Sequence, residues 1–321
     1  MKTYVVRRLL QMLPILFGTT LLIFIVIKMA PGDPFSGLID PKVSPQKIEE
    51  LRRRYCLDCP LPLQYWGWLK QAVQGNLGYS IRFKTPVSEI IGERLGPTLA
   101  LGITAEMIVF LLGIPIGVLS ARYQNSILDN LATVFAFAGI SIPAFFFGLL
   151  LLRSLALGGL KLFPSSGYMT PGSSLAGLPH YLDVGHHLVL PALALGITGI
   201  AGLMRYVRAS MLEVLRQDYV RTARAKGLTE QVVVYRHALR NALIPVITII
   251  GLDLPTLVGG AIITESIFIW PGIGRLTYTA LLERDYPVLM ALNLMFAFLT
   301  MLGSLLADIG YALADPRIRY D

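Results

Sequence analysis

Six apolar runs alternate with polar stretches along the chain: Leu9 to Ile27, Leu99 to Leu119, Leu131 to Leu152, Leu188 to Met204, Leu243 to Ile263 and Val288 to Leu306. Each is close to the roughly 20 residues that a helix needs to cross about 30 Å of hydrocarbon. Backbone groups in lipid have no outside partners, and none of the runs keeps up the apolar/polar alternation of a barrel strand, so all six predict helices. Lys2, Arg7 and Arg8 precede the first run as they would a cleaved signal. Its apolar core is long, however, and Lys28-Met29-Ala30-Pro31-Gly32-Asp33 follows with no clear small-x-small cleavage site, which predicts a retained span. The pattern therefore predicts an all-α integral membrane protein with six transmembrane helices, a single domain over residues 1–321.

Two of the polar stretches carry helical signals of their own. In the segment 31–96, Ser44-Pro45 starts a predicted helix with Ile48, Leu51 and Tyr55 at helical spacing, and Pro60-Leu61-Pro62 closes it. A second helix is predicted from Leu63 to Val73, ended by Gly75-Asn76-Leu77-Gly78. Its Tyr65, Trp66 and Trp68 suit a water–lipid boundary. A compact cap on the outer ends of the spans and direct ligand contact are both open to it. In the loop 208–242, Leu212, Leu215, Tyr219 and Ala223 recur at three or four residues, so the fourth span is predicted to continue past the membrane with these on one face. Gly227 stands where a C-terminal cap belongs, after Lys226 at the negative end of the helix, and Thr229 with Glu230 starts the next helix.

Composition agrees with the hydropathy pattern: of 321 residues 54% are hydrophobic and 15% charged, and mean hydropathy is +0.62. Charge fixes the orientation. With both ends cytoplasmic, fourteen Lys and Arg lie inside, eight of them between Arg205 and Arg240, while the two short outer loops hold only Lys161, Arg275 and Arg284. The segment 31–96 is long enough to be translocated whatever its charge. The net charge of +8 is thus a record of topology and not a nucleic-acid footprint.

The sequence carries no Gly-Lys pair, hence no P-loop, and neither His-Glu-x-x-His nor Gly-x-Ser-x-Gly. No catalytic, metal or cofactor site is predicted. Cys56 and Cys59 form a lone Cys-x-x-Cys, short of the two pairs of a zinc site, and are read as structural or incidental, with a small disulfide permitted. His186-His187 is too little for a metal centre. Polar groups inside the spans mark a candidate substrate path, since an ionisable side chain in hydrocarbon is costly unless it faces a cavity or a partner. Asp253, between Gly251 and Pro255 in the fifth span, and Glu106 in the second are the candidates, each with a structural hydrogen bond as the alternative. Glu265, Trp270, Pro271 and Gly272, after the fifth span, read equally as an outer gate or an interfacial turn.

"EVLRQDYVRTARAKGL" in the inner loop is similar to a cytoplasmic signature of the inner-membrane permease subunits of ABC importers for dipeptides, oligopeptides and nickel. That signature reads Glu-Ala-Ala-x-x-x-Gly; here Arg221-Thr222-Ala223 and Gly227 stand at the matching positions, so the Glu and first Ala are replaced. "HHLVLPALALGITG", "ESIFIWPGIGRLTYTALLERDYPV" and "ADPRIRY" resemble further stretches of the same family. "PGDP" and "RYCLDCPLPLQYWGWLKQAVQGNLGYS" resemble the outer segment of the first of its two permease subunits, apart from the cysteines. The resemblance implies that Asp218, Tyr219, Val220, Arg221, Thr222, Ala223, Arg224, Ala225, Lys226 and Gly227 form a coupling helix docking on an ATPase. It also implies a second permease subunit, one or two kinds of ATP-binding subunit holding ATP and Mg, and an extracytoplasmic substrate-binding protein, all at the prokaryotic inner membrane. The cargo implied is a peptide, with nickel or another small solute the alternative. An autonomous channel or secondary transporter fits less well, given the inner loop and the few charges in the spans.

Overall fold

A computed structural model describes residues 2–29, 49, 56, 58–158, 160–243, 246 and 261–314, with the backbone course alone for 2–6 and 307–314. The described residues are nearly all helical. In chain order they form α1 (Lys2–Met29), α2 (Leu61–Val73), α3 (Val87–Arg122), α4 (Ile127–Ser141) and α5 (Ala144–Leu151), the last running into a π-helical turn (Leu152–Leu157). Then come α6 (Leu178–Val214), α7 (Asp218–Ala225), α8 (Glu230–Val232), a second π-helical turn (Val233–Ala238), α9 (Leu239–Ala242), α10 (Ile262–Ile267), α11 (Ile273–Glu283) and α12 (Tyr286–Ala314).

Four of the predicted spans are long apolar helices: α1, α3, α6 and α12. The third run is helical but not straight. It breaks into α4 and α5 with a bend of 104°, because Pro143 pushes Ile142 out of the helical region to φ −85°, ψ 122°. The fifth run, Leu243 to Ile263, lies outside the described residues apart from its ends. So does the helix predicted after Ser44, apart from Glu49 and Cys56. The Leu63 helix begins two residues early, at Leu61, with Pro60 as its N-cap and Pro62 in its first turn, positions that need no backbone N–H.

α3 and α6 form the centre of the structure. Their contact is close because Gly117 leaves room for it: a Cβ there would lie 2.7 Å from the Met204 carbonyl oxygen and 2.8 Å from Val207 Cβ. Val109, Val118, Ile200, Leu203, Val207 and Met211 fill this seam, and Val234, Ala238 and Ala242 of the inner loop join it. At one end of the seam, the α3–α4 turn is tied to α6 through Asp129. Its carboxylate accepts from Arg208 Nε (2.7 Å) and Nη2 (2.8 Å), from Asn125 N–H (2.9 Å) and from the Ser120 hydroxyl. Ser126 Oγ accepts from Asp129 N–H (3.2 Å) and caps α4. A bidentate pair of this kind fixes orientation as well as distance.

Candidate functional site

The inner loop folds as a helical hairpin. The chain does not continue straight from α6, as the spacing predicts. It turns at Leu215–Gln217, and Gln217 in the extended region (φ −72°, ψ 149°) starts α7 afresh. This break rotates the helix, so the side chains it buries are Val220 and Ala223, while Tyr219 points outward and accepts a hydrogen bond from Asn241 Nδ2 (2.8 Å). Val220 and Ala223 pack on Val233, with Val214 and Leu215 beside them. Full burial of a valine contributes about 1.5 to 3 kcal/mol, which is enough to hold so short a helix in one place.

α7 ends at a glycine for a conformational reason. Gly227 sits at φ +76° with nothing near the position a Cβ would take, so the backbone angle alone selects the residue. Its N–H donates to Arg224 O (2.9 Å), and Leu228 N–H donates to Ala223 O (3.4 Å). These are the two bonds of a Schellman turn. Thr229 takes the N-cap position of α8 in extended geometry but makes no side-chain capping bond. Glu230 instead reaches back across the turn to Arg224, with contacts of 2.8 and 3.2 Å. That hydrogen bond holds the Glu230 carboxyl below its ordinary value and the Arg224 guanidinium above its own. The second limb is anchored: Val234, Ala238 and Ala242 are buried on α3 and α6, and Ser210 Oγ donates to Ala242 O (3.0 Å). The hairpin thus turns its apolar side to the spans. Asp218, Tyr219, Arg221, Thr222, Arg224, Ala225, Lys226 and Gly227 face away, exposed.

At the other end of the bundle, Glu265, Trp270 and Gly272 come together in a second junction. Glu265 is fully buried. Its Oε1 accepts from Thr98 Oγ1 (3.0 Å), and its Oε2 accepts from Arg275 N–H (2.8 Å) at the start of α11. Thr98 Oγ1 also accepts from Ile273 N–H (2.7 Å), so one carboxylate and one hydroxyl join α3, α10 and α11. Burial pushes the Glu265 carboxyl above its ordinary value, against those hydrogen bonds. A Cβ at Gly272 would overlap this carboxyl group, so glycine is required there for space. Trp270 is buried, donates from Nε1 to Pro97 O (2.9 Å), and packs with Leu101, Ala105 and Leu188 under Tyr168. Pro271 lies between Trp270 and Gly272 and is half-buried. Glu106 is half-buried in α3, next to the Ala105 of that cluster. Asp253 lies outside the described residues, and with it Gly251, Pro255, Gly259 and Gly260.

Three arrangements have no counterpart in the sequence pattern. The Asp129–Arg208 pair is one; Glu265 as the hub of α3, α10 and α11 is another. The third is Asp285, buried, which accepts from Ile81 N–H (3.2 Å), Arg82 N–H (3.1 Å) and the Ser80 hydroxyl. It fastens the loop before α3 to the α11–α12 junction. Cys56 and Cys59 are joined as a disulfide. His186 and His187 engage different backbone carbonyls, Leu162 O and Asp183 O.

A nearly all-helical bundle with several membrane-length apolar helices and a packed helical hairpin at one end has the architecture of a multi-pass membrane protein. Over 71% of its length it superposes on 97% of a chain of the MetNI methionine ABC transporter in an inward-facing conformation, with a TM-score of 0.56 at 17% identity. The sequence then sets the family. The chain belongs to the binding-protein-dependent transport system inner membrane components, which it matches over residues 113–320, with the matching N-terminal component over residues 1–102. It is 46% identical to the oligopeptide transport system permease protein AppB of Bacillus subtilis over the whole of both chains. It is 47% identical to a putative peptide permease protein of Brucella suis over 99% of each. To the glutathione transport system permease protein GsiC of Escherichia coli K12 it is 41% identical over the whole of both. The protein is therefore a multi-pass inner-membrane permease subunit of an ABC transporter.

Proposed function

We propose that this chain is the first of two permease subunits in an ATP-driven importer of oligopeptides, with six spans and both termini in the cytoplasm. One observation carries the proposal: the inner hairpin is anchored to α3 and α6 by its buried side and leaves the surface from Asp218 to Gly227 free. Such an element is a rigid lever, and its exposed polar and charged side is the docking face offered to a partner. ATP and Mg bind in partner ATPases whose closure displaces α7. The hairpin passes that displacement to α6 through Ala242 and Ser210, and to the fifth span through Leu243. Alternating access then follows by rocking of the helices. A substrate-binding protein delivers the peptide from outside. Asp253 and Glu106 line the path, and the junction of Glu265, Trp270, Pro271 and Gly272 closes its outer end. Supporting the peptide cargo are the names of relatives at 41 to 47% identity, whose transport systems carry oligopeptides, peptides or glutathione.

The test is to replace residues 218–227 by a flexible linker in the tagged full chain and identify what copurifies. Loss of a P-loop ATPase with retention of a second permease chain is the expected result. An ATPase retained on the linker variant, or peptide uptake by this chain alone without ATP, overturns the proposal. For the path, Asp253→Leu is expected to abolish peptide-stimulated uptake in an otherwise assembled complex.

A further inference from the structure

α2 lies deeper than an extracytoplasmic cap would. α1 and α12 run antiparallel, and contacts near the two ends of their pairing calibrate depth. Lys28 Nζ sits 5.5 Å from the Tyr286 ring centroid at one end, and Arg8 Nη2 donates to Ser304 Oγ (3.3 Å) at the other. Arg8 and Lys28 are about 20 residues apart, roughly 30 Å of helix, which is the thickness of the hydrocarbon layer. Tyr65 of α2 packs between these marks. Its hydroxyl is 2.9 Å from Thr20 Oγ1 and donates to Phe17 O (3.2 Å), and its ring lies 5.7 Å from Phe17 and 5.4 Å from Phe24. Phe24, Thr20 and Phe17 stand 4 to 11 residues inside Lys28, about 6 to 17 Å below it.

The side of α2 turned away from Tyr65 exposes large apolar side chains beside Lys70 and Gln71. Leu63 is 62% exposed, Trp66 64% and Val73 81%. Leu13, Phe17, Leu22 and Val26 are likewise exposed on α1, a helix long and apolar enough to cross the bilayer. The one charge in α2, Lys70, is in its last turn, where a long side chain extends to the polar boundary. Trp66 beside Leu63 suits the level where acyl chains meet the headgroups.

We infer that α2 is embedded in the leaflet at the Lys28 end, the outer one in the orientation proposed above, with Leu63, Trp66 and Val73 against lipid acyl chains. Part of the segment between the first two spans is thus a membrane-seated buttress for α1. The buried Thr20–Tyr65 hydrogen bond is then shielded from water by lipid as well as by protein.

The experiment uses the assembled importer in nanodiscs of phosphatidylethanolamine and phosphatidylglycerol, with and without bromine on the upper acyl carbons. Subtracting the emission of Trp66→Phe isolates the Trp66 signal from Trp68 and Trp270. Bromolipid is expected to remove more than half of that signal and aqueous acrylamide to leave it nearly unchanged. The doubly substituted chain Trp66→Phe with Leu63→Trp reports on the same side of the helix and is expected to respond alike. Quenching by acrylamide without bromolipid would put α2 in water. Protection from both quenchers would mean that a partner protein covers it. Either outcome overturns the inference, and neither depends on whether the complex transports peptides.

Discussion

Two helix–glycine–helix junctions sit at opposite ends of this bundle and use their glycines for opposite reasons. At the inner one, Gly227 adopts φ +76° in open space, and the residues around it are exposed and charged. At the outer one, Gly272 adopts extended backbone that any residue takes (φ −102°, ψ −178°), but a buried carboxylate fills the place of its side chain. The inner junction constrains the path of the chain and leaves the surface open; the outer one constrains everything within reach. A surface that must meet another protein tolerates the first arrangement. The seal proposed for the outer end, which must hold one shape, needs the second.

The largest effect is expected where the α3–α4 turn is tied to α6, at the same end of the bundle as the inner hairpin. Arg208→Leu leaves the Asp129 carboxylate buried, with only Ser120 and Asn125 as donors, and is expected to cost about 3 kcal/mol, since breaking one side of a buried pair strands the other charge. Thermal unfolding in detergent should show the loss, and Arg208→Lys should restore part of it, because an ammonium supplies charge without the bidentate fork. If Arg208→Leu is as stable as the parent, the pair does not hold the α3–α4 turn to α6 and the inner end is a loose one. Next is Gly272→Ala, expected to cost about 2 to 3 kcal/mol because the added methyl displaces the Glu265 carboxyl group in a packed site. Glu265→Ala in the same chain should recover part of that cost, a non-additivity that ties the effect to this contact.

At Gly227 the expected loss is local. Gly227→Val puts a β-branched residue in the left-handed region at roughly 1 to 2 kcal/mol, whereas Gly227→Asn should cost less, since Asn tolerates that region. Melting of the bundle should barely change, while copurification of the ATPase and peptide uptake fall. A valine variant with wild-type uptake would make the inner glycine dispensable and remove the contrast between the two junctions.

Hydropathy alone makes the membrane-length helices legible, because a bilayer demands an apolar run whatever the tertiary structure does. Gly227 is legible too, because a helix end is a local event. Two departures from the expected helices also have local causes. Ser141-Ile142-Pro143 contains the break in the third run, and Gln217, ahead of Asp218, is where the helix restarts. The buried anchors are another matter. Thr98 and Glu265 are 167 residues apart, Ser80 and Asp285 205, and Asp129 and Arg208 79, so no spacing pattern joins them. Arg208 in particular reads as one more inside positive charge until the fold places Asp129 against it.

The smallest expected effect separates bracing from docking. Arg224 and Glu230 span the Gly227 turn, and their side chains are 42% and 46% exposed, so solvent and salt screen the pair. Glu230→Gln should cost only about 0.5 kcal/mol, seen as roughly twofold faster amide exchange around residues 224–230. The Glu230 carboxyl titrates below its ordinary value, so the bond's contribution is present above the unfolded-state value of 4.5 and is lost as pH falls through the lower folded value. Near neutrality the brace is therefore intact, and adding salt should mimic the glutamine variant. Should Glu230→Gln instead release the ATPase outright at neutral pH, Glu230 would belong to the contact itself. The docking surface would then extend past Gly227 into α8, and the inner junction would be held to one arrangement no less tightly than the outer.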